Sequence, residues 1–104
     1  MNRPINNQTL LEETVAFRGT AGESKHARAA GFIPAFQDPS TGRVEIARLA
    51  DGTPAVTHLI SFLPDDWAVD RDGQGNISAI LPGIVAGFVR DGLFYTRQEA
   101  AAAV

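Results

Sequence analysis

The chain contains no cysteine, so a disulfide framework, a thiol nucleophile and a thiolate metal site are all excluded. Its net charge of −3 is too small and of the wrong sign to favour electrostatic binding to nucleic acid or to an anionic membrane. No apolar run approaches the roughly 20 residues that a membrane-spanning helix needs. The polar N-terminus lacks the apolar segment of a signal peptide. Together these absences predict a soluble, cytoplasmic protein.

What the chain does contain is typical of one small globular domain. Its length of 104 residues predicts a single domain, which at this size buries roughly 65% of the surface exposed by the unfolded chain. We expect residues 1–8 to form a flexible tail and residues 9–104 to form the domain. Basic residues are nearly all arginine, with Lys25 as the exception, and alanine is abundant. This bias is typical of a GC-rich bacterial source.

Residues 31–49 predict a β-hairpin, because an apolar run, a turn and a second alternating run follow one another. Residues 38–42 supply the turn: aspartate bonds nearby backbone, proline presets φ, and glycine accepts positive φ. Pro34 has no N–H to donate, which predicts that its strand is an edge or is interrupted there.

Two registers of this hairpin are open. If Asp38 pairs with Arg43, then Phe36 faces Glu45 and the apolar side chains do not match. If the pairing shifts by one residue, Phe36 faces Val44. Because apolar cross-strand pairs stabilise sheets, we prefer the second register. It places five side chains on one buried face: Phe32, Pro34, Phe36, Val44 and Ile46.

The rest of the chain predicts further hairpins and two short helices. Residues 56–63 form an apolar, strand-like run, and residues 67–80 predict a second hairpin around an Asp-Gly turn. Asp91-Gly92 predicts a third turn, and Thr96 with Glu99 has the spacing of a capping box. We therefore predict an α+β fold: a small β-rich domain of antiparallel hairpins with short helices near 23–30 and 97–103.

The turn of the second hairpin resembles a calcium-binding loop of the EF-hand type. Asp70 and Asp72 occupy the first and third loop positions and Gly75 the sixth, which suits a cation that prefers oxygen ligands. The twelfth position, where a bidentate glutamate is needed, is Leu81. A hairpin turn explains the same residues through backbone geometry. Whether Asp70 and Asp72 bind a cation stays open, and we predict no cofactor and no metal site.

The main candidate for a catalytic residue is His58. His58 lies in an apolar run, where a histidine is either a satisfied core residue or part of a site, and Asp65 and Asp66 follow a proline break that could bring them back to it. No nucleophile motif or catalytic triad accompanies them. An enzyme using His58 with an aspartate is therefore an alternative hypothesis, and a non-enzymatic protein is favoured.

Two arginines flank two aromatic residues near the C-terminus, and side chains of both kinds anchor protein interfaces. The candidate interaction residues are Arg90, Phe94, Tyr95 and Arg97. We expect a protein-interaction or self-assembly domain that binds a protein partner or forms a homodimer. The same residues support a second alternative, a small-ligand or nucleic-acid-binding accessory protein, although the acidic composition disfavours nucleic acid.

Overall fold

The computed structural model describes residues 5–6 and 31–102 of the chain. These residues form antiparallel strands, one 3-10 turn at Asp65–Trp67 and one helix. In chain order the elements are β1 (Ile5–Asn6), β2 (Ile33–Asp38), β3 (Arg43–Ile46), β4 (Ala68–Arg71), β5 (Ile77–Ile80), β6 (Val85–Arg90), β7 (Leu93–Thr96) and α1 (Arg97–Ala102).

The strands form two sheets, one with the order β3-β2-β6-β7 and one with the order β1-β5-β4. The prediction of a small β-rich α+β domain is therefore confirmed, including both later hairpins and the C-terminal helix. The helix predicted near 23–30 lies outside the described residues. Two residues of the predicted tail, Ile5–Asn6, pair with Ile80 and Ala79 of β5.

One face of the four-stranded sheet carries the core. A larger cluster joins this face to the three-stranded sheet, to Trp67 and to the connection after β3. A smaller cluster lies further along the same face and includes Ala100 of α1. The buried side chains of the larger cluster are Phe36, Ala47, Ala55, Ile60, Leu63, Trp67, Ile77, Ile80, Ile84 and Ala86, and those of the smaller are Phe32, Phe88 and Ala100.

The register that we preferred for the first hairpin was wrong by one residue. Phe36 pairs with Glu45, which is the alternative that the apolar matching disfavoured. Phe32 and Phe36 are buried in the core as predicted. Val44 and Ile46 lie on the opposite face of the sheet and are only half-buried.

Turn chemistry and a distant strand explain this register. The Asp38 carboxylate accepts hydrogen bonds from the amide and hydroxyl of Ser40, and its carbonyl oxygen accepts the amide of Gly42, which has a φ of 77°. These bonds close the turn directly after Asp38, which is therefore the last residue of β2. Phe36 finds its apolar neighbour on the other side, where Ala86 of β6 lies opposite.

The prediction that Pro34 marks an edge was also wrong, because β2 lies inside the four-stranded sheet. Pro34 pairs with Phe88 of β6, and its carbonyl oxygen accepts the amide of Ala47. In a regular antiparallel ladder the amide of residue 34 would also donate a hydrogen bond to the carbonyl oxygen of Ala47. The amide of Ala55 donates to that carbonyl instead, so the missing N–H of proline leaves no acceptor unsatisfied there.

Residues 56–63 do not form the predicted strand but an irregular segment that covers the core. His58, Ile60 and Leu63 are buried, whereas Val56 is half exposed. This spacing does not follow the two-residue period of a strand. The amide of Leu63 bonds back to Ile60 rather than to a neighbouring strand.

A reciprocal capping box starts helix α1, as predicted. The hydroxyl of Thr96 accepts the amide of Glu99 at 3.1 Å, and the Glu99 carboxylate accepts the amide of Thr96 at 2.9 Å. Side chains thereby satisfy two backbone amides at the start of the helix, those of Thr96 and Glu99.

We expect Thr96→Ala to lower the free energy of unfolding by about 1 kcal/mol, because the cap acceptor is lost. Urea denaturation followed by circular dichroism measures the change. Thr96→Ser keeps the hydroxyl and is the control. Equal stabilities of the alanine and serine variants would contradict the capping role.

Candidate functional site

His58 is the centre of the most unusual side-chain arrangement in the described residues. Its side chain is 8% exposed, and its ring lies edge-on to Phe36 at 5.5 Å and to Phe88 at 5.0 Å between centroids. Phe36 belongs to the larger core cluster and Phe88 to the smaller one. The imidazole therefore joins the two apolar clusters of the domain.

Both ring nitrogens of His58 have hydrogen-bond partners. Nε2 lies 2.6 Å from the carbonyl oxygen of Gly87, and Nδ1 lies 2.9 Å from Nη2 of Arg97. A guanidinium group can only donate, so Nδ1 accepts and Nε2–H donates to the carbonyl. The bonding pattern thus assigns the neutral tautomer with its proton on Nε2.

The environment of His58 keeps it neutral. Burial lowers the pKa of the imidazole most, the positive charge of Arg97 lowers it further, and the bond to Gly87 opposes the shift. The resulting pKa is about 3, against an ordinary value of 6.5. At neutral pH the side chain acts as an uncharged donor and acceptor between β6 and α1.

The four predicted interaction residues take three different positions. Arg97 is 2% exposed and contacts His58 at the start of α1. The Arg90 guanidinium lies 4.2 Å from the ring of Phe32, and Tyr95 meets the same ring edge-on at 5.1 Å. Phe94 pairs with Val89 on the opposite face of the sheet and is half-buried. The structure therefore brings only Arg90 and Tyr95 together.

The aspartates that the enzyme hypothesis assigned to His58 have other partners. Asp65 accepts a hydrogen bond from Arg71 at 2.7 Å, and Asp66 pairs with Arg43. The hydrogen bond to Arg43 lowers the pKa of the Asp66 carboxyl. The described hydrogen bonds of His58 run to Gly87 and Arg97.

The carboxylates of the calcium-like loop bond to the backbone of their own turn. Asp72 accepts the amides of Gln74 and Asn76 at 2.9 and 3.1 Å, and Asp70 accepts the amide of Arg71. Within residues 5–6 and 31–102, no three His, Cys, Asp or Glu side chains converge in a way that could hold a metal ion.

Strand β3 is an edge that sequence reasoning did not single out. The other three edges of the described sheets are short or interrupted: β1 has two residues, the register of β4 shifts twice against β5, and the final amide of β7 is taken by Glu99. β3 pairs with β2 over four consecutive residues without a bulge or a proline. Such an edge is a ready template for another strand.

The backbone of β3 alternates between its partner and the outside of the sheet. The amide of Ala47 donates to Pro34, so Glu45 and Arg43 also direct their backbone groups towards β2. Val44 and Ile46 direct theirs outward. The edge therefore presents the outward backbone groups of Val44 and Ile46. The positive charge of Arg43 lies on one side of Val44 and the negative charge of Glu45 on the other.

Comparison with known proteins found no matching family model, no similar curated protein and no similar solved structure. No helix among the residues that the structure describes has the length and apolar character needed to cross a membrane.

Proposed function

We propose that this protein is a non-enzymatic self-assembly domain in which β3 pairs with β3 of a second copy. The observation that supports the proposal is the uninterrupted edge of β3 with the sequence Arg43-Val44-Glu45, which is complementary to itself when antiparallel. Closed two-fold dimers are the commonest assemblies of identical chains. The cytoplasmic location expected from the sequence is part of the same proposal.

A two-fold axis through Val44, perpendicular to the sheet, gives the pairing. Val44 lies opposite Val44 of the second copy, and each outward N–H meets an outward carbonyl. Arg43 then faces Glu45 of the second copy on both sides of the axis, and oppositely charged cross-strand pairs are favourable. The two four-stranded sheets become one sheet of eight strands with their core faces on the same side.

The charges of Arg43 and Glu45 favour this register over the nearest alternative register. An axis through Glu45 would place the two Glu45 carboxylates directly opposite each other, and like charges at that position are destabilising. Arg43 already binds Glu45 and Asp66 within its own chain. Its guanidinium has five N–H donors, so it can keep these contacts and also accept a carboxylate of the second copy as a partner.

Pairing through one short strand gives a small interface. Interfaces that bury less than about 1,200 Å² belong to weak or transient complexes. We therefore expect a concentration-dependent equilibrium between monomer and dimer. The alternative of a ligand-binding or nucleic-acid-binding protein has less support, because the face of the buried Phe32 ring is covered by Arg90 within the protein.

Charge reversal tests the pairing. Arg43→Glu gives four carboxylates at the contact and Glu45→Arg gives four guanidinium groups, so each variant alone should sediment as a monomer. An equimolar mixture of the two variants should form a heterodimer, and the double variant Arg43→Glu, Glu45→Arg should form a homodimer again. Sedimentation equilibrium measures all four samples, and circular dichroism confirms that each is folded.

A wild-type protein that stays monomeric up to about 1 mM, which corresponds to roughly 4 kcal/mol of binding free energy, would overturn the proposal. Single variants that dimerise as the wild type does would overturn it equally.

Val44→Pro is a backbone probe that leaves the charges in place. Proline removes the outward N–H but is tolerated on an edge strand, so the monomer should fold and the dimer should be lost. Val44→Thr keeps the N–H, the branched shape and the dimer. If the proline variant dimerises with unchanged affinity, the contact does not run through the β3 backbone.

A further inference from the structure

We propose that Asp91-Gly92 is a site of spontaneous covalent modification, at which the aspartate converts to isoaspartate through a cyclic imide. The dipeptide forms the exposed tip of the hairpin between β6 and β7. The inference does not depend on the assembly through β3, because β7 is the opposite edge of the four-stranded sheet.

The reaction needs only the side chain of an aspartate and the amide of the next residue. The backbone nitrogen attacks Cγ of the neutral carboxyl group, the bond from Cγ to the hydroxyl oxygen breaks, and the amide proton leaves with the hydroxyl as water. Water then opens the five-membered imide at one of its two carbonyl carbons. Opening at Cγ restores aspartate, whereas opening at the main-chain carbonyl gives isoaspartate, and no oxidant or reductant takes part. Glycine favours ring closure, because it has no Cβ atom and its backbone rotates freely.

Asp-Gly occurs three times in the sequence, and the first dipeptide is held at both reacting groups. The Asp51 carboxylate accepts the amide and the hydroxyl of Thr53 at 3.0 and 2.7 Å, and the amide of Gly52 donates to the carbonyl of Leu49. The hydrogen bonds from Thr53 also lower the pKa of the Asp51 carboxyl, so less of it is in the neutral form that reacts.

The second dipeptide is held at the aspartate. The Asp72 carboxylate accepts the amides of Gln74 and Asn76 at 2.9 and 3.1 Å. The amide of Asp72 donates to the carbonyl of Asn76, and its own carbonyl accepts the amide of Gly75. Rotation of Asp72 towards the amide of Gly73 would therefore break side-chain and main-chain bonds together.

Neither reacting group is held in the third dipeptide. Among the hydrogen bonds within residues 5–6 and 31–102, none involves the Asp91 carboxylate or the Gly92 amide. Asp91 is also the only non-glycine residue in this part of the chain with a positive φ, at 54°, a conformation that is strained in a residue with a Cβ atom. Ring closure requires rotation about the Cα–C bond of Asp91, so the turn must open. This rotation breaks no side-chain hydrogen bond and relieves the strain.

Isoaspartate changes the length of the turn. Its main chain runs through Cβ and Cγ, which adds one backbone atom between Arg90 and Leu93, the last pair of the hairpin. The two-residue turn whose twist matches the strands is then lost. We expect the pairing of Leu93 with Arg90 to weaken first, while the pairs between β2 and β6 remain.

Incubation of the folded full chain in water enriched in the heavy isotope of oxygen measures the reaction. Each hydrolysis of the imide leaves one solvent oxygen in the residue, whichever way the ring opens. Fragment-ion spectra then locate the label. Trypsin separates the three dipeptides into residues 49–71, 72–90 and 91–97, and isoaspartate that blocks cleavage after Arg90 extends the last peptide to residues 72–97.

We expect Asp91 to gain the label at least about tenfold faster than Asp51 or Asp72, because one hydrogen bond to a charged group corresponds to roughly that factor. The same chain in concentrated urea is the control. Without the turns, the three aspartates should react at similar rates. Faster labelling of Asp51 or Asp72 in the folded chain would overturn the proposal, and so would a preference for Asp91 that persists in urea.

Asp91→Asn tests whether the amide of Gly92 can reach the side chain. Asparagine tolerates a positive φ and Asn-Gly suits the same turn, so the variant should fold. Its side-chain amide leaves as ammonia in the same ring closure and needs no neutral carboxyl group, so conversion at this position should be faster than in the wild type. If the folded variant keeps its asparagine while the variant in urea loses it, the folded turn does not allow the attack and the proposal is wrong.

Discussion

Truncation of Phe88 to alanine is expected to lower the free energy of unfolding by about 3–5 kcal/mol, the range for removing a buried phenylalanine ring. The Phe88 side chain is fully buried, and its ring lies 6.0 Å from that of Phe32 and 5.0 Å from that of His58 between centroids. The cavity would therefore open between the smaller core cluster and the histidine that joins it to the larger one.

Urea denaturation monitored by the fluorescence of Trp67 measures this loss. Phe62→Ala is the matched control, because Phe62 is 44% exposed and its truncation should change stability by no more than about 0.5 kcal/mol. Equal effects of the two substitutions would mean that Phe88 does not occupy the core position described above.

The parts of the fold that the sequence predicted well are those controlled by neighbouring residues. Asp91 and Gly92 both have positive φ, at 54° and 79°, as a two-residue hairpin turn requires. Thr96 and Glu99 cap each other across three residues. Backbone geometry and side-chain reach determine such features locally, so residue types at fixed spacing suffice to find them.

The register of the first hairpin needed information from outside the hairpin. Apolar matching assumed that Phe36 would meet an apolar residue of β3. Its apolar neighbour is Ala86 of β6, 50 positions along the chain from Phe36, while Glu45 faces it from β3 at the margin of the sheet. The hydrogen bonds of Asp38 in the turn were the better local guide.

The pairing of His58 with Arg97 had no sequence signal. The two residues are 39 positions apart and belong to no ligand or catalytic spacing. Arg97 is predicted to be an interaction residue because Arg90 and Arg97 flank two aromatic residues, and a fully buried arginine is rare. The structure places it beside an imidazole that accepts its hydrogen bond instead.

The edge at β3 could not be predicted from the sequence for a related reason. The self-complementary order of Arg43, Val44 and Glu45 is visible in the sequence, but it has meaning only once β3 is known to be an edge. Which backbone groups point outward depends in turn on the register against β2. A correct register would have identified the outward backbone groups and the charges of β3, but only the strand order shows that β3 is an edge.

Substitution of Gly87 by alanine is expected to be the most damaging single-methyl change in the described chain. A Cβ atom at this position of β6 would overlap the backbone carbonyl oxygen of Tyr95 and lie 2.6 Å from Cζ of Phe94. The Phe94 ring can rotate away, but the carbonyl belongs to the adjacent strand β7 and moves only with it. We expect a loss of about 3 kcal/mol, at the upper end for overpacking a core.

Gly73→Ala is the matched control, because a Cβ atom there has no neighbour within 4 Å and the backbone is not in the left-handed region. It should be neutral or stabilise slightly, by at most about 1 kcal/mol, since alanine restricts the unfolded chain. Adding Phe94→Leu to Gly87→Ala separates the two clashes. Only part of the stability should return, because the Tyr95 carbonyl remains in place. Full recovery in the double variant would show that the aromatic ring, and not the close approach of β7, requires glycine at this position.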